Sequence, residues 1–515
     1  MTRQKWMVIV CLVENGPPGR TERRTAMNIV DAMHTYQSLK LTENGALCRN
    51  TSGSFLLDLF AMGGAMRSRD EEEIETLFLR GFAENPDLAM KLLFYIRDVR
   101  GGLGERRTGR ILLKTCAQVF PDVLRPLLPE IQEYGRWDDL LSLRSTPLEK
   151  DAVAILKAQL EKDCENLKED RGISLLAKWL PSVNASSSDT KKTAQWLAYA
   201  FGMKAREYRR LLSALRARLN LTERNLSMGM DEKIRYSEVP SCAMRRYGSA
   251  FSRRDAERFG AFLNSVKNGT ASVHSGVLYP YELAEMILNR DSICLESVEA
   301  QWNALPDFTE KGSRFLIMAD VSGSMTGRPM AASVGLALYF AERCPGLFHN
   351  RFLTFSSQPE LVEIKGDTLA QKLHSIGSAN WNMNTDLESA FRLVLESAVS
   401  AGIPQQEMPE SIVVITDMEI DSCTDGRPFL EGMRMQYAMH GYQLPNIVFW
   451  NVCARWNTFH AGDTEHGVQL VSGLTARVFE SLAKGIVLTP YEYMTEVLSS
   501  ARYAGIRADL SKTCA

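Results

Sequence analysis

Asp320, Ser322 and Ser324 occupy alternate positions of one short segment, Asp320-Val321-Ser322-Gly323-Ser324. One carboxylate and two hydroxyls at that spacing are hard oxygen donors. They suit Mg²⁺, or another divalent cation of the same kind, better than zinc. The segment follows Phe315-Leu316-Ile317-Met318-Ala319, an apolar run that predicts a buried strand. Pro329 and an apolar, small-residue helix from Met330 to Arg343 come after it. A strand end that runs into a flexible turn is where open α/β sheets place their ligand sites. Two more oxygen-bearing segments lie downstream. Asn384-Thr385-Asp386 precedes a helix-periodic stretch, Leu387 to Ser400, and a second apolar run, Ser411 to Thr416, ends in Asp417. The competing role for all these residues is structural, because Asp, Ser and Thr also cap helices and close turns.

Asp-x-Ser-x-Ser, then Thr-Asp, then a strand-terminal Asp resembles, in that order, the metal-ion-dependent adhesion site of von Willebrand factor A domains. Residues 311 to about 505 resemble that domain as a whole. The resemblance implies a doubly wound, Rossmann-like sheet. It implies direct ligation of Mg²⁺ by Ser322, Ser324 and Thr385, with Asp320 and Asp417 acting mainly through metal-bound waters. It further implies one coordination position kept for an Asp or Glu of a protein partner.

The elements that must position these groups are legible as pattern. A chain of 515 residues is too long for one ordinary core. Strands are predicted near 313–319, 348–356, 360–365, 411–416, 446–453 and 468–472. Helices are predicted near 329–343, 367–376, 386–402, 427–440, 475–483 and 490–502. That alternation predicts a parallel sheet covered on both faces. Upstream, from Met27 to about Asn303, apolar residues recur at helical spacing, as in Phe55, Leu56, Leu59 and Phe60. Many short helices without sustained heptads predict a helical-repeat, HEAT-like solenoid over 27–305. Pro306 and Gly312 mark the join to the α/β domain over 311–505, and 506–515 forms a C-terminal tail. Trp6 to Val13 is apolar but too short to span a bilayer, and no small-x-small cleavage site follows it. Residues 1–26 therefore read as a disordered segment, or as a leader ahead of a start at Met27.

The net charge of −2 conceals an asymmetry. Arg97, Arg100, Arg106, Arg107, Arg110 and Lys114 crowd one stretch against only Asp98 and Glu105. Between residues 196 and 270, fifteen basic residues face seven acidic ones, whereas from 311 onward acidic residues outnumber basic ones by 21 to 16. Clustered Lys and Arg attract phosphate backbones. Tyr208, Tyr236 and Tyr247 lie among them and could stack on bases. The plainer alternative is a charged helix surface whose arginines pair with local carboxylates.

Four phrases favour nucleic acid: Ile96 to Arg107, Tyr134 to Leu140, Leu175 to Pro181, and Val239 to Tyr247. Their order and wording resemble the helical TROVE module of the Ro ribonucleoproteins, and more closely an uncharacterised Ro-like family of the same layout. The resemblance covers roughly residues 40–505. It implies a ring of helices sealed by the von Willebrand domain, a basic outer surface for small structured RNAs, and a hole that admits single-stranded ends. The expected function is binding of small noncoding or defective RNA. The basic clusters nominate Arg97, Arg100, Arg106, Arg107, Arg110, Lys178, Arg209, Arg210, Arg245 and Arg246 as RNA contacts.

Catalysis is not expected. Asp320-Val321-Ser322 lacks the second Asp of an Asp-x-Asp phosphatase, there is no phosphate-binding Gly-x-x-x-x-Gly-Lys loop, and the seven histidines show no His-Glu-x-x-His spacing. His460 to His466 reads as a polar turn. Ten cysteines without Cys-x-x-Cys pairs read as reduced thiols of a cytoplasmic protein. The expected state is a monomer without membrane contact. The alternative function is a metal-dependent protein adaptor, serving an AAA+ ATPase or a scaffold, that binds no RNA.

Overall fold

Alternating apolar runs and helix-periodic stretches build, in a computed structural model of the chain, a helical N-terminal region followed by a six-stranded sheet with flanking helices. The structure describes residues 38–510, apart from 290–292, 310–313, 355, 378–383, 424–425, 481 and 483–487. The proposed leader, the end of the tail and part of the join therefore lie outside the described residues.

The sheet strands are β3 (Phe315–Ala319), β4 (Arg351–Thr354), β5 (Leu361–Glu363), β6 (Ser411–Thr416), β7 (Asn446–Asn451) and β8 (Val468–Ser472), in the order β5-β4-β3-β6-β7-β8. Neighbours are parallel except β4 and β5, which form an antiparallel hairpin at the edge. The connection between those two strands is too short for a crossover, so the all-parallel expectation fails there. β3, β6 and β8 are buried along their whole length, as strands covered on both faces must be. The chain leaves β3 toward β4 on one side and returns to β6 on the other. The strand order therefore reverses between β3 and β6, and the carboxyl ends of such a strand pair are where open α/β sheets place ligands.

The helical region packs mostly neighbour on neighbour, from Phe55–Gly63 to Leu295–Asn303. Its first helix lies on β8, where Gly64 meets Gly473 so closely that a Cβ on Gly64 would sit 2.6 Å from the Gly473 Cα. Its last two helices lie on the sheet region's own helices. There Trp302 donates its indole N–H to Glu342 at 2.8 Å, and Gly335 leaves room for the backbone of Tyr281. Near the start, the buried Asp98 accepts from Arg502 Nη2 at 2.7 Å and from the Tyr503 hydroxyl at 3.0 Å. Both ends of the helical stretch thus rest on the sheet region, and one apolar core runs through both. A smaller core of Ile234, Tyr236, Val239, Met244, Phe251 and Phe259 stands apart.

The helical expectation fails most clearly at residues 39–49. They form a hairpin of two three-residue strands, β1 (Leu39–Leu41) and β2 (Leu47–Arg49), bridged to the sheet region at Gly45–Asp421 and Arg49–Phe459. Within the predicted helical stretch, residues 121–134 form only short turns, because Pro126 and Pro129 remove amide donors. A single helical turn, Leu176–Trp179, stands ahead of Pro181.

Candidate functional site

Adjacent parallel strands bring Asp320 and Asp417 together at the switch point. Asp320 follows β3, and its amide donates to Ile415 O of β6 at 2.9 Å. Its carboxylate accepts from the Ser322 amide at 2.8 Å and from the Thr416 hydroxyl at 2.7 Å. Burial and the nearby charge of Asp417 push the Asp320 carboxyl up to about 6. A second negative charge nearby disfavours ionisation of a buried carboxylate. The Ser322 and Ser324 hydroxyls lie 3.0 Å apart, Ser322 buried and Ser324 exposed. Asp417 accepts from the Glu419 amide at 3.2 Å and from Arg455 Nη2 at 3.0 Å.

Thr385 reaches the same loop by a different route. Its hydroxyl lies 2.8 Å from Asp421 Oδ1 and 3.0 Å from Glu419 O, and it accepts from Asn44 Nδ2 at 2.9 Å. Its amide donates to Asp421 Oδ2 at 3.0 Å. The three expected segments thus converge on one sheet edge, but Thr385 is joined to the loop after Asp417 rather than hydrogen-bonded to the two serines. Within that loop Met418 holds a left-handed φ of +73°, uncommon for a side chain of this size. His460 steadies it by donating Nε2 to Met418 O at 2.8 Å. His460 is therefore not part of a solvated polar turn: it is buried, and burial pushes its imidazole down to about 4. Among the described residues no three His, Cys, Asp or Glu converge as metal ligands, so the donors here are hydroxyls beside carboxylates.

A second site lies in the helical region, where a cavity of about 1440 Å³ is lined by ten Lys or Arg side chains and only two Glu. All four sequence phrases supply its wall: Arg97 to Arg106, Gly135 to Trp137, Leu175 to Trp179, and Pro240 to Tyr247. Of the ten nominated cations, Arg97, Arg100, Arg106, Lys178, Arg209, Arg245 and Arg246 line it, whereas Arg107, Arg110 and Arg210 do not. Several have structural partners. Arg97 is buried and ion-paired to Asp139 at 2.7 Å, Arg110 holds both Asp138 and Asp139, and Arg106 holds Asp138. Arg245 pairs with Glu282 at 2.9 Å, and Lys178 approaches Glu223 at 3.8 Å. Asp138 and Asp139 thus anchor arginines from behind the wall, which is why that acidic pair follows Trp137.

Arg136, Arg216 and Arg224 also line the cavity, although they were not among the nominated contacts. Arg136 lies over the Trp179 ring at 4.3 Å, and burial with the repulsion of Arg97 holds its guanidinium below the usual range. Arg216 donates to neutral acceptors, Ala177 O, Leu180 O and Ser182 Oγ. Of the expected stacking tyrosines, Tyr208 and Tyr247 line the cavity, the first buried and the second half-buried, whereas Tyr236 is buried in the smaller core. Their apolar neighbours, invisible as linear sequence, decide which ring faces the cavity.

Residues 315–495 match a family model described as a domain of unknown function, DUF7788, and residues 184–313 match another so described, DUF2828. The two models meet at the start of β3. An uncharacterised protein of Acanthamoeba polyphaga mimivirus is 27% identical over 503 residues, which covers 90% of this chain and 87% of that protein. The likeness therefore runs through both regions.

Proposed function

We propose that this chain is an RNA-binding protein of the Ro-like kind, which holds small noncoding or defective RNA through the basic cavity of its helical half. The observation that carries the reading is the convergence of all four sequence phrases on one wall with ten cations and two carboxylates. A wall so unbalanced draws in phosphates by Coulomb attraction and gains by counterion release. Trp179, Tyr247 and Tyr279 on the same wall offer faces and edges for unpaired bases.

The sheet half, in this reading, is a von Willebrand A-type domain. Its donor chemistry fits a divalent cation: two adjacent buried carboxylates, Asp320 and Asp417, beside the paired hydroxyls of Ser322 and Ser324. Those four residues, with Thr385, would hold Mg²⁺. When bound, the ion supplies a positive point that a partner's carboxylate can engage. The chain's own residues orient the donors: Thr416 and the Ser322 amide fix Asp320, and Arg455 balances Asp417.

The test is the absorbance ratio at 260 and 280 nm of the purified chain, followed by sequencing of retained nucleic acid. Salt-sensitive retention of small RNA is expected. A second reading, an adaptor that binds no RNA, draws on the pairing of Arg97, Arg106, Arg110 and Arg245 with carboxylates. A nucleic-acid-free protein that captures a partner only with Mg²⁺ would favour it.

A further inference from the structure

We propose that Arg136, Lys178 and Arg245, gathered at the start of the helix Ser241–Arg254, form a subsite for a phosphate monoester, the terminal phosphate of a nucleic-acid strand, inside the basic cavity. The inference deepens the RNA-binding reading and rests on it for the strand that carries the phosphate. Three separate elements supply the cations. Arg136 precedes the turn Trp137–Leu143, Lys178 lies in Leu176–Trp179, and Arg245 stands one turn into Ser241–Arg254. They meet around two side chains. The Arg136 Cζ lies 4.3 Å from the centroid of the Trp179 ring, and the Lys178 Nζ lies 5.7 Å from it. Cys242, three residues before Arg245 on the same helix face, is exposed in the cavity. Burial pushes its thiol up, as does the charge of Glu282, while the charges of Arg245, Arg136 and Lys178 each pull it down. All three cations therefore lie near this one thiol.

Their donors are not used up by the fold. An aromatic face fixes the planar guanidinium of Arg136 without engaging its N–H groups. The acids beside it, Asp138 and Asp139, ion-pair with Arg97, Arg106 and Arg110 instead. Arg245 gives Nη2 to Glu282 at 2.9 Å, yet its buried Nε has no hydrogen-bond partner among the described residues. Lys178 makes only a long ion pair, 3.8 Å, with Glu223. The helix start adds partial positive charge. Pro240 O takes the Ala243 and Met244 amides at 2.9 Å each, so the Ser241 and Cys242 amides are the open ones of that turn among the described residues. A phosphate with one ester link carries about two negative charges at neutral pH and presents three oxygens. An internal phosphodiester carries one charge, and the chain leaves it on both sides. Donors that converge on one point from three elements match the monoester.

The test uses the full chain and three short oligouridines, ending in hydroxyls, in a 5′-phosphate or in a 3′-phosphate. Fluorescence anisotropy measures affinity, and mass spectrometry follows alkylation of Cys242 by iodoacetamide. A phosphorylated strand should bind about tenfold more tightly than the hydroxyl-ended one, the factor that one charge-assisted hydrogen bond supplies. Which of the two does so tells which end is read. At equal occupancy it should also shield Cys242 more, with the half-buried Cys294 as internal reference. Arg136→Gln should abolish the preference, whereas Arg209→Ala, on the helix Ala205–Arg218 of the same wall, should lower both affinities and keep it. Equal affinity for all three strands overturns the proposal and leaves RNA binding standing. If no strand binds, the RNA reading fails, and uridine monophosphate decides the subsite. Shielding of Cys242 in the unmodified chain, lost in Arg136→Gln, then supports it, and an unchanged alkylation rate overturns it.

Discussion

Removing Arg209 and Arg246 together should weaken RNA binding by an amount that salt controls. Both line the cavity and are exposed, and no carboxylate partner is seen for either among the described residues. Their loss therefore leaves the fold's ion pairs intact, unlike loss of Arg97 or Arg110. For a single strand, each phosphate neutralised contributes about 0.7 to the slope of log K against log salt. Two phosphates left without their arginines lower that slope by about 1.4, which amounts to a loss of roughly 25-fold at 0.1 M salt and only about 3-fold at 0.5 M. Filter binding of a short uridine-rich single strand across that range measures both numbers. Arg107→Ala with Arg210→Ala is the matched control, removing the same charge from residues outside the cavity. The reasoning is refuted if the control pair lowers the slope as much as the cavity pair, or if neither does.

Four other outcomes are expected. Asp98→Ala strips the buried acceptor from Arg502 and Tyr503, and should cost roughly 3 kcal/mol in urea unfolding; a loss below about 1 kcal/mol would mean that the two halves are joined elsewhere. Gly64→Ala forces a Cβ against the Gly473 backbone and should cost about 1–3 kcal/mol or more by the same assay. His460 has an ordinary value of 6.5 and a folded value of about 4, so its contribution is full above pH 6.5 and is lost as pH falls from 6.5 toward 4. The stability advantage of the unmodified chain over His460→Gln, which can still donate to Met418 O, should shrink across that window by roughly 3 kcal/mol. Asp320→Ala should abolish stabilisation by Mg²⁺ in a thermal shift assay while sparing RNA retention, and equal loss of both would undo the division between the halves.

Much of the sheet region was legible because its strands are buried on both faces and read as unbroken apolar runs. Ser411–Thr416 and Val468–Ser472 fall where the runs predict them. The strand order, and with it the meeting of Asp320 and Asp417, follows from crossover topology and could only be anticipated from the resemblance. The hairpin at 39–49 escaped because Leu39-Lys40-Leu41 and Leu47-Cys48-Arg49 are too short to show a period, and distant loops, not local propensity, hold them. Charge clustering found the basic half but could not say which arginines face inward. Arg97 and Arg106 sit on one sequence run, yet the first is buried on Asp139 and the second is half exposed beside Asp138. Arg136 joins the cavity wall through its contact with Trp179, which no linear spacing records.

The most direct measurement is photocrosslinking of a 4-thiouridine-containing single strand to the full chain, with the crosslinked peptides identified by mass spectrometry. Crosslinks at Trp179, Tyr247 and Tyr279 are expected, since these aromatic residues line the cavity among its cations. Crosslinks confined to exposed aromatics away from it, such as Tyr199 and Trp456, would contradict the account.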